Sequence, residues 1–219
     1  LKNLKNLTEM KSDMLGASTV LGIFNTLSSL NQKTNYNIIG ILPIVENMIG
    51  TSAVVPGDII TSHSGKTVEI RDTDAEGRLI LADSLSYAQK HIKNIDFMID
   101  IATLSYTSVL VGCGLFEIVM SNNKKLASKV INHGNKVNED FLELPIYDKH
   151  MEYTKSEVAD IKNEEFGNKC RPGNGIMGAA FLKNFVDEKI PWCHMDLGGL
   201  PRKLGDGIKT IVSLISNYQ

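Results

Sequence analysis

Three nearly unbroken apolar runs constrain this chain more than any other feature: "IDFMIDIATL" (95–104), "LFEIVMS" (115–121) and "WCHMDLGG" (192–199). A strand that is apolar at successive positions has no face to give to water, so both its faces need cover. The cover is legible between the runs. From Leu7, apolar residues recur at Leu7, Met10, Met14, Ala17, Leu21 and Phe24, which predicts one face of a helix reaching about Leu30. Helical character returns in "GRLILADSLSYAQKHI", over residues 124–139, in "GIMGAAFLKNFV" and in "GIKTIVSLISN". "NYNIIGILPIV" reads as a further buried strand, and "DIITSHSGKTVEI" as two short strands about a Ser-Gly turn. The alternation predicts an α/β fold, with a mixed, mostly parallel central sheet covered by helices on both faces. No repeat or low-complexity linker divides it, so residues 1–219 read as a single domain. Residues 145–175, rich in Lys, Glu, Gly and Asn, are expected to form a surface loop of the kind that carries substrate pockets.

Composition narrows the function classes. A formal net charge of −2 argues against an electrostatic nucleic-acid or membrane binder. The three cysteines, Cys113, Cys170 and Cys193, are too few and too far apart for a disulfide framework or a zinc ribbon, which favours a reducing, cytoplasmic setting. No apolar stretch reaches the roughly 18 residues of a membrane span. The first residues, "LKNLKNLTEMKSDM", lack the apolar core of a signal peptide.

The chemistry concentrates in "EIRDTDAEGRLILADSL" (69–85), where Asp72, Asp74 and Glu76 alternate ahead of Arg78 and an apolar segment. Three readings compete. Thr73 and Glu76 fit a capping box at a helix start. Asp72, Asp74, Glu76, Gly77 and Asp83 fall at positions 1, 3, 5, 6 and 12 of a calcium-binding hand, although the preceding residues read as strand where that motif needs a helix. The third reading is one part of a carboxylate cage for divalent ions, which needs ligands from elsewhere in the chain. Asp13, at the edge of the first helix's buried face, is a candidate, and spacing leaves it equally open as a surface aspartate. Of the histidines, His194 follows Cys193 in a buried strand and is expected in the core. His63, His91, His133 and His150 show no ligand spacing, and Cys113 has no evident histidine partner.

Taken together, "MKSDMLGASTV", "ILPIVENM", "PGDII", "GKTVEIRDTDAEGRLILADSLSYA" and "DIATL" resemble, in order and spacing, the catalytic domain of the leucyl aminopeptidases of peptidase family M17. "TDAEGRL" matches that family's signature, and weaker matches run through "VADIKN", "GAAFLKNFV" and "WCHMDLGG". The resemblance implies a two-metal aminopeptidase that removes leucine-like N-terminal residues from peptides by means of a metal-bridging hydroxide. It implies Asp13, Asp74 and Glu76 as metal ligands. It also implies Lys2 and Arg78 as catalytic groups, with a bicarbonate at Arg78, and Met10, Thr103 and Leu104 as substrate contacts. The ions would be manganese or zinc, with magnesium or cobalt as substitutes, and the assembly a homo-hexamer with peptide substrates and no nucleic-acid or membrane partner.

Two departures accompany the match. The family's first metal motif, of the form G-K-G-x-x-F-D-S-G-G, has no counterpart in these residues, nor does its N-terminal domain. Tyr106 stands in "TLSY" where the family has "T-L-T-G". Both motivate a rival reading, an inactive homologue kept for assembly or binding, and a calcium-binding module is the more distant one.

Overall fold

The computed structural model describes residues 8–30, 34, 36–46, 48, 50–165, 174–198 and 205–217. The first helical region opens as a 3-10 turn over Thr8–Met14 and becomes α-helical at α1 (Leu15–Ser29). The expected single helix is therefore two joined pieces. Two short strands, β1 (Ile59–Thr61) and β2 (Thr67–Glu69), pair antiparallel about Gly65, whose φ of 90° suits the tight turn. Then come α2 (Gly77–His91), β3 (Met98–Ala102), α3 (Thr107–Gly112), β4 (Glu117–Ser121), α4 (Lys124–Lys136) and β5 (Phe141–Glu143). The series closes with α5 (Asp148–Tyr153), β6 (Ile161–Lys162), α6 (Gly175–Lys183), β7 (Trp192–Asp196) and α7 (Ile208–Ser216).

The central sheet has the order β3-β7-β4-β5. β3 and β7 are parallel, β4 runs antiparallel to β7, and β5 is parallel to β4. This is the mixed, mostly parallel sheet anticipated. Its period-two alternation divides the core in two. Ile101, Val119, Cys193 and Met195 point to one face, where α1, α4 and α7 contribute Ile23, Leu126, Val130 and Leu214. Ile118, Met120 and Trp192 point to the other, against Ala82 and Leu85 of α2 and Phe181 and Leu182 of α6. The small sheet β1-β2-β6 closes over that second face through Val68 and Ile161.

Four local expectations give way. The described residues of "NYNIIGILPIV" form no strand, and Ile39, Ile44 and Val45 are 57%, 79% and 63% exposed. An apolar run becomes a strand only where a sheet edge accepts its backbone, and none of the described strands pairs with it. The capping box is absent. α2 begins at Gly77, so Glu76 occupies the N-cap without a side-chain cap bond, and Thr73 lies outside the helix. Residues 145–165 are not simply surface loop either. They contain α5 and β6, and Asn163 and Glu164 there are 0% and 3% exposed. The helix expected over 124–139 ends at Lys136, just before Asn138 turns to a φ of 57°.

Candidate active site at the carboxyl ends of the central strands

β3 and β7 run parallel and deliver their carboxyl ends side by side, the place where open α/β sheets commonly bind ligands. The residues after β3 are fixed there by Asp196, the last residue of β7. Its Oδ1 accepts hydrogen bonds from the backbone N–H groups of Leu104 (2.9 Å) and Ser105 (3.2 Å), and its Oδ2 accepts from the Ser105 hydroxyl. Leu197 N–H donates to the Ala102 carbonyl at 2.7 Å. Burial pushes the Asp196 carboxyl up, against the pull of His194 and of these donors. Gly175 opens α6 against the same cluster and donates its N–H to Thr107 Oγ1 at 2.8 Å. A side chain at Gly175 would collide with Ser105 Oγ and Thr107 Oγ1, which is why α6 can start this close.

Thr103 and Leu104 tie together regions far apart in sequence. The Thr103 hydroxyl donates to Asp13 Oδ1 at 2.8 Å and lies 3.1 Å from the Asp13 carbonyl. Leu104 reaches the head of α2: a Cβ on Gly77 would stand 3.2 Å from its Cδ1. A Cβ on Gly178 of α6 would stand 2.7 Å from Leu104 Cδ2 and 3.6 Å from Arg78 Nη2. Five of the residues singled out from the sequence, Asp13, Thr103, Leu104, Glu76 and Arg78, thus lie along one path at this end of the sheet. Met10 is half-buried in the preceding 3-10 turn. Lys2 lies outside the described residues.

The acidic loop itself is shaped by Asn163. Its side-chain Nδ2 donates to the Asp72 carbonyl (2.6 Å) and the Ala75 carbonyl (3.3 Å), while its Oδ1 accepts from the backbone N–H groups of Arg71 and Asp72 at 2.7 and 3.3 Å. Asp72 contributes from within, accepting the Asp74 N–H at 2.9 Å. Held this way, Asp74 and Glu76 are exposed while Ala75 between them is buried. Carboxylate oxygens such as those of Asp74, Glu76 and Asp13 are of the chemical type that suits hard divalent cations. These three are not drawn into one cluster: among the described residues no group of three His, Cys, Asp or Glu side chains is arranged to hold a metal ion.

Arg78 turns the other way, into the core. Nη1 donates to the Asn163 carbonyl at 2.6 Å, and Nη2 pairs with Glu164 Oε2 at 3.2 Å, with the two side chains 3% and 2% exposed. Burial pushes the guanidinium down, and Glu164, Asp72, Asp196 and Glu76 oppose that shift. Both terminal nitrogens are engaged within the chain, so a small anion reaching them has to displace Glu164 or Asn163.

On the same face of the sheet, Asp100 of β3 accepts from Trp192 Nε1 (2.6 Å) and bonds His194 Nδ1 (2.5 Å). Burial works against a charged His194, but the Asp100 carboxylate, through charge and hydrogen bond, and Asp196 override it and hold the imidazole above its ordinary value. His194 is fully buried, as its strand position implied. Cys193 is also buried, and burial pushes its thiol far up, which suits an inert packing group.

The sequence reading gave no role to Asn163, Glu164, Ser105 or Asp196. "VADIKN" offered a motif match but no chemistry, because a lone amide or carboxylate in a polar loop carries no spacing signal.

The fold and the site define a class: an α/β domain that presents exposed carboxylates and a buried arginine near the ends of its central strands. The model of the cytosol aminopeptidase family's catalytic domain matches residues 1–210. A probable cytosol aminopeptidase of Syntrophobacter fumaroxidans is 43% identical over 199 residues, 91% of this chain and 38% of that protein. Relatives of the same description from Wolbachia pipientis and Phytoplasma mali are 37% and 38% identical and match along 100% of the chain, each over 45% of its own length. The chain belongs to the cytosol aminopeptidase family, and it spans less than half the length of these relatives.

Proposed function

We infer that this chain supplies part of the active site of a metal-dependent aminopeptidase that removes leucine-like residues from the N-termini of peptides. The observation that carries this reading is the route from Asp13 through Thr103 and Leu104 to Gly77, which brings the signature loop and the first helical region to one end of the sheet. Asp13, Asp74 and Glu76 would hold the ions, manganese or zinc, together with ligands from outside this set. Two bound divalent cations supply an activated water near neutral pH and a Lewis-acid grip on the scissile carbonyl.

The chain's own residues do the rest. The backbone of Thr103 and Leu104, fixed by Asp196, orients the peptide. Met10 lines the side-chain pocket, and Lys2 stabilises negative charge as it develops on the carbonyl oxygen. Arg78 anchors the head of α2, from which Glu76 projects. A homo-hexamer in the cytoplasm is the assembly that accompanies this reading. Among the described residues no helix is long and apolar enough to cross a membrane.

The test is hydrolysis of a leucyl anilide by the full-length protein, with manganese added and then removed by chelator. Turnover that appears with metal and vanishes with chelator is expected. A protein that binds metal stoichiometrically yet turns over no aminoacyl substrate would instead be the inactive homologue.

A further inference from the structure

Among the described residues the Arg78 guanidinium is the one strongly basic group drawn into the core beside the acidic loop, and its surroundings differ from what the sequence resemblance implies. In place of an open cradle for a free anion, it faces a carboxylate of its own chain. Glu164 Oε2 lies 3.2 Å from Nη2, and the pair is buried to within a few percent. The neighbouring Asn163 carbonyl takes Nη1 at 2.6 Å, and Asn163 also holds the loop that carries Asp74 and Glu76. The Nε atom is buried and has no hydrogen-bond partner among the described residues, so the side chain is held by its two terminal nitrogens. A planar guanidinium favours a carboxylate-shaped partner. A buried arginine with one such partner gains little from a second anion, which would pay desolvation for a place already filled.

We propose that Glu164 is the built-in carboxylate partner of Arg78, a positioning residue that fills the place a bicarbonate would take and frees this protein from any bicarbonate requirement. The proposal rests on the aminopeptidase reading only for the meaning of that place in catalysis; the occupancy itself does not depend on it. Glu164 acts through Arg78, setting the guanidinium under the loop that presents Asp74 and Glu76. It follows that removing the carboxylate creates an anion site, whereas exchanging it for an amide of the same size does not.

The experiment measures binding of radiolabelled bicarbonate by equilibrium dialysis to the full-length protein, with and without manganese, for wild type, Glu164→Ala and Glu164→Gln. Wild type and Glu164→Gln are expected to retain no saturable bicarbonate. Glu164→Ala is expected to gain affinity by roughly tenfold or more, about 1.4 kcal/mol, and to regain part of its lost thermal stability when bicarbonate is added. Saturable binding by wild type that Arg78→Met abolishes would overturn the proposal, as would a folded Glu164→Ala that binds none.

Should Glu164→Ala fail to fold, the rate of the manganese-loaded wild type decides: it is expected to be unchanged when dissolved bicarbonate is stripped and restored. Activation by bicarbonate, lost in Arg78→Met, would then sink the idea. If no turnover is seen under any condition while the dialysis results hold, the aminopeptidase reading fails and the Arg78–Glu164 assignment stands.

Discussion

Glu76 and Arg78 sit two residues apart at the head of one helix, under opposite conditions. Glu76, like Asp74, is exposed at the end of the central sheet, whereas Arg78 is 2% exposed and paired with Glu164 and Asn163. About half a turn of helix separates an exposed carboxylate from a guanidinium whose terminal nitrogens are paired in the core. A buried charge has to meet its partner within the fold, because the penalty for leaving it unpaired is large. Carboxylates at an open rim pay no such penalty and can be retained for an ion.

That contrast breaks most severely at Glu164. Replacing it with alanine strands the Arg78 charge, and a loss of about 3–5 kcal/mol of stability is expected in denaturant unfolding. A loss no larger than that of a surface substitution would show that the pair does not hold the second face together.

Asp100→Asn comes next, with a loss of about 1.5–3 kcal/mol, because two hydrogen bonds to a buried carboxylate are weakened. Its signature is in the pH dependence. His194 in the fold binds its proton more tightly than in the unfolded chain. Its contribution is therefore complete below the unfolded value of about 6.5 and is lost as pH rises through the folded one. In Asp100→Asn that decline should flatten, which unfolding midpoints measured from pH 5 to 9 would reveal.

Thr103→Val tests the link between the two regions. It removes the hydroxyl that reaches Asp13 while keeping the volume, and about 0.5–1.5 kcal/mol is expected to go with it. A change in the position of Asp13 should appear as weaker manganese binding in a calorimetric titration. Asp74→Asn is the opposite extreme to Glu164→Ala. Its unfolding midpoint should move far less than that of Glu164→Ala, while fewer manganese ions are bound per chain. An unchanged metal stoichiometry would remove Asp74 from the ligand set.

How much of this was legible in the sequence depends on the range of the interaction. The apolar runs at 98–102, 117–121 and 192–196 were legible as buried strands, because short, nearly continuous apolar sequence calls for cover on both faces. The helical character of "GRLILADSLSYAQKHI" was legible as well, whereas the structure shows that α2 buries Arg78, Ala82, Leu85 and Ala88. "NYNIIGILPIV" shows the limit. It carries the same apolar signal, yet its described residues form no strand, because pairing requires an edge that the run itself does not contain.

The site divides in the same way. Sequence by itself determined the family and the identity of the exposed carboxylates, since a short motif keeps its residues together whatever the fold does around it. Only the tertiary structure decided what meets Arg78. Glu164 lies far along the chain in a polar stretch with no period, and Asn163 beside it gave no hint that it shapes the acidic loop. The same holds for Asp196, which fixes Leu104 and Ser105 from across the sheet. Local pattern specifies that a segment has apolar surface to bury, but the first helical region buries Leu15, Ile23 and Leu27 and leaves Met14 and Leu21 of the periodic face exposed. The partner of a buried charge is chosen by the topology that brings distant segments together.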